Sequence, residues 1–199
     1  MTLERVGDFL PGNYTPPKGG GNYMKFVQGV NTFRFLSKPI MGMEYWKTIV
    51  GQDGTETRKP VRVRPGEDIS ISEIGDQPPK HFWAMIVWNY NDRQVQILEI
   101  TQRTIIDTIT SLARNPKWGS PLGYDLVVTR EGERKETKYN VTPDPKEELS
   151  EEVQKALEST TINLEALYDG GDPFAKKAQQ NEEQSEQSDE INVDDVPFG

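Results

Sequence analysis

The sequence has no cysteine among its 199 residues. That excludes disulfides, thiolate metal sites and a cysteine nucleophile together. Histidine is nearly as scarce: His81 stands alone, so no two-histidine zinc site can be assembled from this chain. Long apolar runs are missing as well. No stretch approaches the length of a membrane span, and the opening MTLERVGDFLPGNYTPP carries two acids without the apolar run of a secretory signal. A cytoplasmic location is the expectation. Neither a nucleophile elbow nor a Gly-Lys-Ser/Thr phosphate loop occurs, and the glycine run in TPPKGGG follows no strand and leads into no such Lys, so it reads as a linker. No catalytic residue, metal or cofactor is expected, and the chain is read as a non-enzyme.

What is abundant is charge, and it is unevenly placed. The net charge of −9 argues at first against a polyanion partner. Of the 32 acidic and 23 basic side chains, 15 and 4 lie from Lys146 onward, which leaves 17 acidic and 19 basic in residues 1–145. The body is therefore slightly basic and the last quarter strongly acidic. From Ala178 onward there are seven acids and no base, in a Gln/Glu/Ser-rich stretch. Such a block repels itself, buries too little apolar surface to fold and often serves as an interaction tail. Binding of a polyanion by the body stays possible.

Between these ends the pattern is β. KFVQGVNTFRFLSKPIMGMEYWKTIV reads as two strands breaking near Ser37–Pro39, then turning at GQDGT. RKPVRVRP puts Val61 and Val63 on one face and Arg62 and Arg64 on the other, and a short alternating DISISEI follows. KHFWAMIVWNYNDRQVQILEIT reads as a hairpin turning at Asn89–Arg93. Ile105, Ile106, Ile109, Leu112 and Ala113 then form a helical stripe, with Thr101 or Thr104 as the candidate cap and Asn115-Pro116 as the stop. A second hairpin turns at Glu131–Arg134, and a further amphipathic helix is expected over Glu147–Glu158. GGDPF at Gly170–Phe174 reads as a short turn docking on the body. The expected fold is mainly β: a five-stranded OB-fold-like barrel with one helix between strands, plus a disordered acidic C-terminal tail. The expected divisions are a flexible segment 1–22, a barrel 23–145, a helical or linker extension 146–177 and the tail 178–199.

On the expected strands, aromatic and basic residues interleave. Candidate contacts to a single strand of nucleic acid are Arg34, Lys47, Arg58, Lys59, Arg62, Arg64, Lys80, Trp83, Trp88, Tyr90, Arg103, Lys117, Trp118, Arg130 and Tyr139. Cations would track phosphates while aromatic faces stack on splayed bases, at about 1–3 kcal/mol per base. Any one of these aromatics could equally belong to the core of a small β domain. Arg62 and Arg64 are the sharpest candidates, because Val61 and Val63 already supply a core face; the alternative for them is a solvated face.

The stretches YMKFVQGVNTFRFLSKPIMGMEYW, KPVRV, KHFWAMIVWNYNDRQVQILEITQRTI, WGSPLGYDLVVTREG and YNVTP, in that order over residues 23–145, resemble tailed-phage single-stranded DNA-binding proteins. The resemblance implies an oligonucleotide-binding barrel that coats single-stranded DNA without sequence specificity during phage DNA replication, recombination and repair, in the host cytoplasm. It does not carry over the Cys/His zinc module of the best-known members, because cysteine is absent. MTLERVGDFL sets one Arg against Glu4 and Asp8, unlike the basic arm through which some members bind cooperatively. The end of the chain resembles the acidic, Phe-tipped tails through which such proteins recruit partners. Asp194, Asp195, Pro197 and Phe198 match that tip, while Gly199 departs from it. The implied partners are replication and recombination enzymes such as a polymerase, helicase, primase or nuclease. Two alternatives stand beside this reading: an RNA-binding or nucleic-acid chaperone barrel, and a protein-binding adaptor domain.

Overall fold

The computed structural model describes residues 21–69 and 77–175. Within them lie eight strands and two α-helices: β1 Tyr23–Met24, β2 Gly29–Phe35, β3 Ile40–Val50, β4 Glu56–Val63, β5 Lys80–Asn89, β6 Gln94–Ile100, α1 Arg103–Arg114, β7 Tyr124–Glu131, β8 Lys138–Lys146 and α2 Glu151–Glu158. The DISISEI segment falls largely outside the described residues, as do the N-terminal segment up to Gly20 and everything beyond Ala175.

β2 and β3 behave as one long strand broken in the middle. Phe33–Phe35 pair with Val87–Asn89 of β5, and Ile40–Glu44 pair with Lys80–Ala84 of the same strand. Pro39 has no N–H to give the ladder, and the break is bridged instead: Leu36 N donates to Ile86 O, and Ile86 N donates to the Ser37 hydroxyl. β4 returns along β3 with Lys47 opposite Lys59 and Glu44 opposite Arg62. Gly42 permits this approach, since a Cβ there would collide with the Val63 carbonyl oxygen. Among the described residues, β3 beyond Glu44 pairs only with β4, and the outer parts of these two strands form a two-stranded ribbon.

The hydrogen-bonded path runs β1-β6-β5-β2-β7-β8, with the β3–β4 ribbon branching from β5. The fold is mainly β, with a helix between β6 and β7 in the order expected of an OB-like domain. More than five strands take part, and the sheet is open rather than a closed barrel. β1 pairs only with β6 and β8 only with β7 among the described residues, and α1 packs against β8.

Strand alternation sends one set of side chains inward. Phe33, Phe35, Met85, Val87, Leu98, Ile100, Leu126 and Val128 meet Ile105, Ile106 and Ile109 of α1 in the main core. The helix stripe is as the sequence spaces it, but neither Thr101 nor Thr104 caps it. Gln102 is the N-cap and makes no side-chain capping bond; its backbone carbonyl takes the Ile105 and Ile106 N–H groups. Asn115 ends the helix before Pro116.

The opposite face of β5 and β6 is covered too. Phe82, Ala84 and Ile97 are buried beneath Leu164 and Leu167 from the segment after α2. α2 begins at Glu151, later than expected, because Ser150 accepts a hydrogen bond from Val153 N and so sets the start. The Gly170–Phe174 turn docks on the body, with Pro173 O accepting from Asn163 N and the Phe174 ring meeting Tyr23 edge-on at 6.0 Å. Residues 146–175 are thus a folded layer of the domain.

Candidate nucleic-acid interface

Most of the arginines that the sequence flags are already engaged. Arg34 is 3% exposed. Its Nε donates to Leu122 O and its Nη1 to Asp125 Oδ1, both at 2.9 Å, and Nη2 donates to Glu147 O. It ties β2 to the start of β7 and to the chain leaving β8, and no donor group faces outward for a phosphate. The expectation of a DNA contact at Arg34 is corrected accordingly.

Arg62 fares similarly. Its Nη2 lies 2.6 and 2.8 Å from the two Glu99 carboxylate oxygens and 3.2 Å from Glu44 Oε2, and its guanidinium sits 5.8 Å over the Phe82 ring. Arg62 does stand on the face opposite Val61 and Val63, but that face is covered, so it is no solvated phosphate contact. Arg64 is 42% exposed and is held from the C-terminal layer. Glu165 lies 3.2 Å away, Asp169 4.0 Å, and the Tyr168 ring 4.4 Å under the guanidinium. Arg130 is half-buried and donates from Nη1 to Phe26 O. Arg103 is exposed but pairs with Asp107 one helical turn on.

The aromatics divide as well. Trp88 is 3% exposed and meets Tyr90 edge-on, so it belongs to the interior rather than to a stacking surface. Trp83 is half-buried, donating from Nε1 to His81 Nε2, and Trp118 is half-buried against Tyr124. Tyr90 is 39% exposed as a whole. Burial, then a hydrogen bond to Asp125, pushes its hydroxyl pKa up to about 12. Tyr139 packs on Phe26 with ring centres 5.9 Å apart.

Exposed candidates remain on the β3–β4 ribbon and at two separate points. Arg58 and Lys59 are exposed on β4, Lys80 at the start of β5 opposite Glu44, and Lys117 after α1. Lys47 is half-buried, opposite Lys59. Trp46 was not singled out from the sequence as a contact, yet it is 41% exposed with the Arg58 guanidinium 5.9 Å from its ring. Its signal was present: it alternates with Tyr45, which is buried.

Beside the ribbon lies a cavity of about 1030 Å³, bounded by β1, β4, β6 and Gly170–Gly171. Tyr23, Phe26 and Tyr139 form aromatic walls, and the exposed Lys25 and Lys59 stand at its edge. Glu44, Arg62 and Glu99 line it as well. Burial first, and then Glu99, raise the Glu44 carboxyl above its usual range, against the pull of Arg62. Burial and the Glu99 charge likewise raise the Tyr23 hydroxyl. The structure thus brings Lys59, Arg62 and Tyr139 to one groove, places Arg58 on the ribbon next to it, and leaves Lys117 and Trp118 at the far end of α1. Asp194, Asp195, Pro197 and Phe198 lie outside the described residues.

No protein-family model matches the sequence, and neither the curated proteins nor the solved structures contain a significant match to it. Among the described residues, no helix is long and apolar enough to cross a membrane.

Proposed function

We propose that this chain is a non-enzymatic single-stranded DNA-binding protein that coats the strand and recruits replication and recombination enzymes through its acidic end. The observation that carries the reading is the groove beside the β3–β4 ribbon, with its aromatic walls, lysines at the edge and room for more than one nucleotide. Exposed Trp46 with Arg58 alongside extends the same chemistry along the ribbon. An aromatic face takes any base, and cations follow the backbone whatever its sequence, so the pairing of the two suits a coating protein. The OB-like strand order and the resemblance over residues 23–145 point the same way. In this reading Asp194, Asp195, Pro197 and Phe198 dock the partner enzymes, and the cytoplasm of an infected host is the place of work.

The test is a titration of the full chain against labelled single-stranded DNA, duplex DNA and RNA of equal length over a range of salt. The expected result is a preference for single-stranded DNA, with log affinity falling against log salt by about 0.7 per phosphate neutralised. Arg58→Ala with Lys59→Ala should weaken binding and flatten that slope. Trp46→Ala should weaken it by about 1–3 kcal/mol and leave the slope unchanged. A flat salt response or a preference for duplex overturns the reading, and a preference for RNA moves it to the RNA-binding class. One observation favours a protein-binding adaptor instead: Ile49 and Val50, exposed near the tip of the ribbon beyond Trp46, are apolar. That reading takes over if no nucleic acid binds at all.

A further inference from the structure

The groove is not uniformly cationic, and its inner surface carries carboxylates that occupy its arginine. Arg62 is the cation there, its side chain nine-tenths buried, and three carboxylate oxygens from Glu99 and Glu44 converge on its Nη2. Two carboxylates surround the one guanidinium of the floor, and Lys80 stands opposite Glu44 on β5, so Arg62 is already neutralised and a phosphate oxygen is left to Lys25 and Lys59 at the edge. The floor still lacks something: Arg62 Nε is buried and has no hydrogen-bond partner. A buried donor without an acceptor is costly. That N–H has no accessible surface, so what the floor presents to an incoming base is carboxylate lone pairs, those of Glu99 foremost.

We propose that this floor reads base edges, and that Glu99, Glu44 and Arg62 give the groove a preference for amine-bearing bases, cytosine above all, over thymine. The inference rests on the single-stranded DNA reading above and adds a base preference to otherwise sequence-tolerant binding. Cytosine carries its N4 amine on its outer edge, where it donates to a carboxylate. Thymine turns two carbonyl oxygens toward the same carboxylates and has one N–H between them. Acidic side chains accepting from the cytosine amine are an established mode of base reading, and here the acids are held in place by the arginine between them. The aromatic walls stack any base that enters, and the floor sorts the bases by their edges.

The experiment compares oligo-dC with oligo-dT of equal length on the full chain at one salt concentration. Tighter binding of oligo-dC, by about tenfold, is the expected result. Glu99→Gln should bring the two affinities together, because an amide offers both a donor and an acceptor at that point and no longer repels a carbonyl. Glu44→Gln is the second variant, expected to narrow the ratio in the same direction, and unfolding curves establish that each variant is folded. Equal affinities in the unaltered protein, or a dC/dT ratio that survives both substitutions, overturn the proposal while leaving general single-strand binding intact. Failure to bind either oligomer overturns the functional reading and this inference with it.

Discussion

Replacing Arg34 by Met separates a structural arginine from a nucleic-acid contact. The sequence alone admits either role, since Arg34 stands between Phe33 and Phe35 in a strand rich in aromatic neighbours. In the structure its guanidinium makes three bonds: to Leu122 O, to Asp125 and to Glu147 O. Met keeps much of the aliphatic stem and removes every one of them. Two carbonyls then lose a charged donor, and Asp125, whose side chain is 18% exposed, loses its counter-ion. Breaking a buried pair on one side costs about 3–5 kcal/mol, and the partial exposure of Asp125 places this case at the lower end. Against a typical total of about 5–15 kcal/mol, that is a large share of the stability. Urea unfolding of the full chain should show a lower midpoint at unchanged slope. The double variant with Asp125→Asn should cost less than the sum of the two singles, because both remove the same contact. Single-stranded DNA affinity, measured well below the unfolding transition, should be unaltered. The reasoning would be refuted by an unmoved urea midpoint together with weakened DNA binding, since that pattern belongs to an outward-facing cation.

Two further outcomes follow from the packing. Tyr90 ionises near pH 10 when exposed and at about 12 in the fold, so its contribution to stability is complete below pH 10 and is lost as pH rises through 12; Tyr90→Phe should shift the alkaline unfolding midpoint upward, and an unmoved midpoint would show that this hydroxyl is not held. Ending the chain at Lys146 removes the cover over Phe82, Ala84 and Ile97, including Leu164 and Leu167, each worth about 1.5–3 kcal/mol when fully buried; the truncated chain should unfold at lower urea and bind a hydrophobic dye, whereas stability equal to that of the full chain would make the layer a passive appendage.

The course of the chain was legible because hydrophobic periodicity is a local signal. The break at Ser37–Pro39, the turn after Asn89 and the stripe from Ile105 to Ala113 each follow from residues within a few positions of one another. The destinations of the charges were not legible, because they are set by strand pairing between distant segments. Arg62 is 37 residues from Glu99, Arg34 is 91 from Asp125, and Arg64 is 101 from Glu165. Alternation correctly put Arg62 on the face away from Val61 and Val63, but it carries no information on whether that face meets water. The step from "opposite the core" to "solvated" holds for a sheet packed on one side only. Here the layer after β8 covers the second face, so a side chain on either side of β5 can be buried.

That second layer also changes what the charge asymmetry means. Read as a sum, residues from Lys146 onward are an acidic extension set against a slightly basic body. In the fold, part of that acidity meets the body residue by residue: Glu152 takes Arg93 at 2.6 Å, and Glu165 and Asp169 take Arg64. Acids from inside the body, Asp125, Glu44 and Glu99, take two more arginines. Positive charge exposed on the ribbon and at the groove's edge, Arg58, Lys59 and Lys25, is then a smaller set than the composition suggests. A polyanion that binds there meets few cations, so the aromatic faces of Trp46, Tyr23 and Tyr139 have to supply much of the affinity. The salt dependence of binding should accordingly be shallow for the number of nucleotides covered, because stacking is paid in no counterions.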